Sequence, residues 1–272
     1  GNVTLALASS NGGPTAGTSD AGVGGGINIT TGNGYINITT ITSAGGSQST
    51  APTNVGGRGG DINLNASQDI VATTVNASGG LSTTGGKGGD VTINASNLIQ
   101  INGIFSTGGE ATMWPRNGGS VFVHATTAIN VTTIDTQGGQ DINNGDNSGS
   151  GANAGTVLVS LLSPFSGNTY LKNIYAFGGN GSTGGNGSNI TIRAANLSLF
   201  EPIIFSYGGA GIDGTLNGGG FGGSIDINAT TLNMSIASIN ASGRPSRGDA
   251  GKISISAVTG VIMNSSIFAR GG

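Results

Sequence analysis

Residues 88–109 contain the repeating unit of this chain. The unit begins with Gly88-Gly89-Asp90-Val91-Thr92-Ile93-Asn94-Ala95, continues with Ile99-Gln100-Ile101-Asn102-Gly103-Ile104, and ends with Gly108-Gly109. Val91 and Ile93 lie two positions apart, and Ile99 and Ile101 repeat that spacing. A period of two is the period of a β-strand. We therefore interpret the unit as two or three short strands plus a variable loop, with glycine clusters at the turns.

The unit recurs along the whole chain. Its first apolar residue returns every 28 to 36 residues, at Ile27, Ile62, Val91, Val121, Val157, Ile190, Ile225 and Ile253. The residue two positions later is also Ile, Val or Leu in every unit. Repeats of this length with constant strand positions indicate a solenoid whose turns stack on one another. The eight residues are predicted to form one core column.

The predicted fold is an all-β, right-handed parallel β-helix of about eight to nine coils with essentially no helix. No segment shows a 3.6-residue period or helix caps. Long turns of unequal length favour the right-handed form, because the regular hexapeptides of left-handed β-helices are absent. The glycine clusters are predicted to supply either positive φ or close backbone approach. Residues 1–272 are predicted to be one repeat domain.

The two ends of the sequence resemble repeat units rather than caps. Gly1-Asn2-Val3-Thr4-Leu5 matches the opening of the unit at Gly89, and the chain finishes with Ile267 and Phe268 before two glycines. We expect uncapped ends, so the chain is either a segment of a longer β-helix or a subunit that stacks through Val3, Leu5, Ile267 and Phe268. Only 24 residues separate Val3 from Ile27, so one strand of the first unit is expected to be missing or shortened.

Composition restricts the classes of partner. Gly accounts for 55 of 272 residues, charged residues for 8 %, and the net charge is -3. Without a basic block, nucleic acid is not an expected partner, and without a run of 18 apolar residues no membrane span is predicted. The absence of Cys excludes disulfides and thiolate metal sites. Expected partners are further copies of the chain, and glycans or a cell surface.

Three motifs carry a resemblance to a known family. Residues 88–95 (Gly-Gly-Asp-Val-Thr-Ile-Asn-Ala), 187–194 (Gly-Ser-Asn-Ile-Thr-Ile-Arg-Ala) and 248–257 (Gly-Asp-Ala-Gly-Lys-Ile-Ser-Ile-Ser-Ala) resemble β-helical repeats of large bacterial exoproteins of the filamentous-haemagglutinin-like type. The resemblance covers nearly the whole chain and consists of the repeat pattern. It implies secretion through a partner pore, an adhesion or matrix role, and no catalytic residues. The Asn-Pro-Asn-Gly type signature of the family's secretion domain does not occur here.

Candidate catalytic groups are sparse. The outward positions of the first strand of each unit contain one His, one Arg and one Asp, namely His124, Arg193 and Asp226, on different turns. Acid–base catalysis requires such groups close together. The sequence therefore predicts no enzyme, and a polysaccharide-binding or polysaccharide-cleaving β-helix is the alternative.

Two loops contain candidate binding residues. Asp141, Asn143 and Asp146 supply oxygen ligands suited to calcium, and the alternative is a polar turn with no cofactor. Trp114, the only Trp, stands beside Arg116 and is a candidate contact for sugar or protein. The alternative is that Trp114 folds back over a neighbouring loop.

The sequence thus predicts an extracellular or cell-surface structural protein without enzymatic activity. It would form a fibre by end-to-end stacking, or the shaft of an adhesin.

Overall fold

A computed structural model of the chain describes residues 1–15, 19–48, 54–142, 149–161, 167–211, 218–235, 237–244, 248–263 and 266–272. These ranges contain strands and no helix, which confirms the all-β prediction. In chain order the strands are β1 (Val3–Ser9), β2 (Ile27–Thr31), β3 (Ile36–Thr42), β4 (Ile62–Ala66), β5 (Ile70–Asn76), β6 (Ser82–Thr84), β7 (Val91–Ala95), β8 (Leu98–Phe105), β9 (Ala111–Trp114), β10 (Val121–Ala125), β11 (Ala128–Asp135), β12 (Val157–Leu161), β13 (Asn168–Tyr175), β14 (Ile190–Phe200), β15 (Ile203–Phe205), β16 (Ile225–Ser235), β17 (Ser238–Asn240), β18 (Ile253–Met263) and β19 (Ser266–Phe268).

Strands of successive turns pair in parallel and form two long ladders, so the predicted parallel β-solenoid is confirmed. The first ladder consists of β2, β4, β7, β10 and β12, continued by the first halves of β14, β16 and β18. Its register pairs each residue of the predicted core column with the next, from Ile27 opposite Ile62 to Ile225 opposite Ile253.

The second ladder begins with β1, β3, β5, β8, β11 and β13. It continues through the second halves of β14, β16 and β18 and through β15, β17 and β19. Val3 pairs with Ile36, so β1 lies in the second ladder, whereas the sequence alignment placed Val3 in the first column. Both ladders use the same alternation of apolar residues, and this explains the misplacement. Within the described residues, no first-ladder strand precedes β1.

About six turns enclose the apolar core with a neighbouring turn on each side. This is fewer than the eight to nine coils predicted. Six column residues are fully buried, namely Ile62, Val91, Val121, Val157, Ile190 and Ile225. Ile27 and Ile253 are only partly buried, because each lies in an end turn with a first-ladder neighbour on one side. Full burial of an aliphatic side chain contributes about 1.5–3 kcal/mol, so the inner turns supply most of the stability.

A layer of glycine-rich backbone closes each turn. We call the five residues before each first-ladder strand the opening segment, as in 57–61, and the four after each second-ladder strand the closing segment, as in 43–46. Gly46 N–H donates to Gly22 O, and Gly57 N–H donates to Gly46 O, both at 2.9 Å. This alternation continues without a break to Gly272, whose N–H donates to Gly248 O at 2.7 Å. Each closing segment from 43–46 to 241–244 is therefore bonded between two opening segments.

Close backbone approach explains the glycines of this layer. A Cβ built on Gly45 would overlap the carbonyl of Gly57, and one built on Gly57 would overlap the carbonyl of Gly22. Among the described residues, Gly167 is the only glycine with positive φ. Of the two explanations open from the sequence, close approach accounts for the clusters. Collagen uses glycine at its crowded axis for the same steric reason.

Small polar side chains join this layer to the core. The first position of the closing segment is fully buried at Ser43, Ser106, Thr136 and Ser206. Their hydroxyls donate to opening-segment carbonyls, as Thr136 Oγ1 does to Gly155 O at 2.7 Å. The buried hydroxyls are thus satisfied by the backbone, and the closing segment is fixed against the first ladder.

Candidate functional site

A groove follows the opening segments on the outside of the solenoid. It has a volume of about 900 Å³ and crosses five turns, from Asp20 and Val23 to Ser150 and Asn153. Arg58, Lys87, Asn117 and Asn153 occupy equivalent opening-segment positions, because the carbonyl of each accepts a bond from the opening segment of the preceding turn at 2.9–3.1 Å. The groove therefore runs along the axis with one such side chain per turn.

Trp114 lies on one wall of this groove. It is the last residue of β9, which pairs with β6 in a separate two-stranded sheet, and its carbonyl accepts a bond from Gly85 N–H at 3.0 Å. The side chain is 55 % exposed, whereas Pro115 after it is buried. The paired backbone holds Trp114 in the wall of the groove, and much of the side-chain surface is open to solvent.

Three cations line the groove with Trp114. Arg58, Lys87 and Arg116 come from three successive opening segments and are all exposed. Strand spacing places neighbouring members about 4.8 Å apart along the axis. Arg58 Nη2 bonds to Asp61 Oδ1 at 2.7 Å, while no ion pair of Lys87 or Arg116 occurs among the described residues. Among the described residues that line the groove, Asp20 is the one carboxylate, and its Oδ1 accepts a bond from Val55 N–H at 2.9 Å.

The structure thus places Trp114 and Arg116, the predicted contact residues, together in one groove. Sequence analysis did not associate Arg58 and Lys87 with them. The signal was available, since both residues occupy the same position of consecutive repeats. The sequence alone does not show that this position faces the groove. In the structure, Asn117 occupies the same position in the next turn and lines the groove with Trp114.

The candidate catalytic groups remain apart. His124 pairs in register with Asn94 and Ser160, Arg193 lies two turns further along, and Asp226 lies three turns from His124. Three turns correspond to roughly 14 Å, too far for direct proton transfer. Partial burial lowers the pKa of His124 below its usual value.

The predicted calcium ligands are described only in part. Asp141 is buried and forms a β-bridge with Ala111, while Asn143 and Asp146 lie outside the described residues. No group of three His, Asp or Glu side chains suited to a metal ion occurs within the described ranges. A calcium site here remains a prediction.

An aromatic cluster on the closing segments was not predicted. The rings of Phe177 and Tyr207 stack with centroids 4.7 Å apart and an angle of 11°, and the Arg244 guanidinium lies 4.7 Å from the Tyr207 centroid. Tyr175 and Phe205 extend the cluster at 5.4–6.2 Å. Burial raises the pKa of Tyr207, and Arg244 partly offsets this effect. Because the rings pack on one another, the cluster acts to join adjacent turns.

The predicted stacking residues lie at the two ends of the ladders. Val3 and Leu5 are on β1, which pairs with β3, and Leu5 is 46 % exposed. Ile267 and Phe268 are on β19, which pairs with β17, and Ile267 is 45 % exposed. Within the described chain, the outer edges of β1 and β19 have no strand partner.

Comparison of the chain with protein families, with curated proteins and with solved structures finds no match. The solenoid agrees with the fold that the filamentous-haemagglutinin-like resemblance implies, and the family assignment remains a prediction. Within the described ranges, no helix is long and apolar enough to cross a bilayer.

Proposed function

We propose that this chain is an extracellular structural protein without enzymatic activity, serving as the rod of a fibre or as the shaft of an adhesin. The supporting observation is the pair of parallel ladders, which continue in register from β1 to β19 around one apolar core. Each turn contacts only its neighbours, so stacking turns extends the molecule along a single axis. A rod of this kind can hold a binding surface away from a cell.

The sparsely charged surface supports such a role. Charged residues form 8 % of the chain, and outward first-ladder positions such as Asn63 and Asn65 are exposed and polar. Rods with little net charge approach one another without strong electrostatic repulsion. Lateral association of rods is therefore part of the proposal.

The open strand edges support axial stacking. Pairing of β1 of one copy with the second-ladder part of β18 and with β19 of another would continue the second ladder by β-augmentation. Following the register along this ladder, Ala8 of one copy would then lie opposite Ile267 of the next. The apolar ends would be buried at this junction.

Electron microscopy of the purified chain at physiological salt tests the proposal. We expect rods about 40 Å long, or filaments made of such rods, because nine strands from β1 to β19 stack in the second ladder at a spacing of ~4.8 Å. Filaments would favour the fibre, and discrete rods would favour the shaft. Compact particles of equal dimensions in all directions would refute both.

A charge at the junction tests how filaments form. Ile267→Glu should abolish filaments, because it buries an unpaired carboxylate between copies. Leu81→Glu, at an exposed loop position away from the ends, is the matched control and should leave them intact. Filaments that persist in Ile267→Glu would exclude this junction.

A further inference from the structure

We infer that the groove beside Trp114 binds an acidic oligosaccharide, one that carries carboxylates on successive sugar rings. The inference goes beyond the proposed structural role and does not depend on whether the rod forms fibres. It rests on the charge, spacing and exposure of the residues that line the groove.

The charge of the groove favours an anionic ligand. The chain has a net charge of -3, yet the described residues that line the groove include three cations and one carboxylate. Like charges on neighbouring strands destabilise a sheet. Arg58, Lys87 and Arg116 follow one another on adjacent turns, and only Arg58 has an ion-pair partner among the described residues. An anionic ligand would relieve this repulsion.

The spacing of the cations suits a ligand with regularly placed carboxylates. Three successive turns of the five that the groove crosses each contribute one cation, and strand spacing separates neighbouring turns by about 4.8 Å. A ligand whose carboxylates recur at a similar interval along an extended chain can pair with Lys87 and Arg116 together. Guanidinium groups bind carboxylates through two parallel hydrogen bonds, which suits Arg116 to this contact. The groove is long enough for several rings, since it crosses five turns.

The exposed indole favours a sugar over other polyanions. The apolar C–H face of a pyranose ring can pack on the face of Trp114, while its carboxylate reaches the cations. Val23 and Val55, which are 63 % and 37 % exposed, extend the apolar surface along the groove. Asn117 and Asn153 are exposed at its far end and can bond to ring hydroxyls.

Trp114 provides the measurement, because it is the only Trp of the chain and its fluorescence reports on the groove alone. A short galacturonate oligomer is titrated into the full chain, and its methyl ester, which keeps the rings but lacks the charges, is the matched ligand. We expect a saturable emission change with galacturonate, at least ~10-fold weaker binding of the ester, and weaker binding as salt screens the charges. Equal binding of the two ligands, or no emission change and no heat of binding at about millimolar ligand, would overturn the inference.

Substitution of the groove cations tests whether they contribute to galacturonate binding. Lys87→Gln and Arg116→Gln should each weaken galacturonate binding by about 5- to 10-fold, since each removes a charge-assisted contact. Arg193→Gln, at an exposed cation on the first ladder, should bind as the wild type does. Wild-type affinity in both groove variants would refute the site. If Arg116→Gln does not fold, Lys87→Gln carries the test, because Lys87 is exposed and makes no side-chain bond among the described residues.

A nucleic-acid oligomer distinguishes a sugar site from a general polyanion site. We expect oligothymidylate with an equal number of charges to bind at least ~10-fold more weakly than galacturonate. Equal or tighter binding of oligothymidylate would overturn the assignment to a sugar.

Discussion

The backbone carbonyl of Gly22 shows how tightly single residues are constrained in this solenoid. It accepts a bond from Gly46 and lies where a Cβ on Gly57 would be placed. Glycine at position 57 is therefore required by contact with a neighbouring turn and not by its own φ. By contrast, Gly32 is exposed, and a Cβ built on it would meet no other atom within 4 Å.

Replacing Gly57 and Gly32 by alanine distinguishes two possible roles of glycine, namely close contact with a neighbouring turn and backbone conformational freedom. Gly57→Ala should destabilise the protein by about 1–3 kcal/mol or more, because the methyl group displaces backbone of an adjacent turn. Gly32→Ala should change stability by less than about 0.5 kcal/mol. Denaturant unfolding followed by circular dichroism measures both. Equal effects would mean that the glycine layer is less tightly packed than described.

His124 offers a second test at this scale, because it is the only His of the chain. Partial burial lowers its pKa, so the unfolded chain takes up the proton more readily than the folded one. Stability should therefore decrease as the pH falls through about 6.5, the value of an unperturbed His. An NMR titration of the imidazole should give a pKa below that value, and His124→Gln should remove this part of the pH dependence. A pKa at or above 6.5 would contradict the burial described here.

At the scale of elements, a strand is stabilised by its neighbours on both sides. Ile192 on β14 lies between strands of the preceding and following turns and is fully buried. Ile255 on β18 occupies the same column but has a first-ladder neighbour only in β16. In a one-dimensional stack, the cost of losing a core side chain should depend on its distance from an end.

The same truncation in these two strands tests that dependence. Ile192→Ala should cost about 2–5 kcal/mol, because it leaves a cavity between two turns. Ile255→Ala should cost less than about 1.5 kcal/mol, because Ile255 is only partly buried in the end turn. Hydrogen exchange should show low protection of β18 in both proteins. Equal losses would indicate that the end turn is as well packed as the interior.

The elements also show what could be predicted from sequence. Apolar residues two positions apart predicted the strands and their columns, because each turn repeats the same pattern. The ladder of β1 was assigned wrongly, since Val3 and Leu5 fit either ladder equally well. Of the groove residues, only Trp114 and Arg116 were predicted as contacts. The pairing of β6 with β9, which places Trp114 in the groove wall, is not visible in the repeat pattern. The bonds between Gly46, Gly22 and Gly57 join segments far apart in sequence, which no local pattern can show.

At the scale of the whole molecule, the solenoid is stabilised by apolar burial and backbone hydrogen bonds rather than by charges. The described residues contain a single ion pair, between Arg58 and Asp61, and it is exposed. Exposed pairs contribute about 0–1 kcal/mol and are weakened by salt. The core, by contrast, is continuous along the axis.

Stability should therefore be nearly independent of salt. Between about 0.05 and 0.5 M NaCl we expect the unfolding free energy to change by less than about 1 kcal/mol, the value of one surface ion pair. Thermal unfolding followed by circular dichroism at several salt concentrations measures it. A large decrease at high salt would show that electrostatic interactions contribute more than the described residues indicate.

The alternation of opening and closing segments has a mechanical consequence. A force that pulls the ends of the rod apart acts on the turns in series, so the weakest junction between turns would fail first. Because each inner closing segment is bonded between the opening segments of two turns, an inner turn cannot separate from the next one without breaking these hydrogen bonds. The hydrogen bonds of the glycine layer thus resist the separation of adjacent turns, and they bear more of an axial force than the loops outside the layer do.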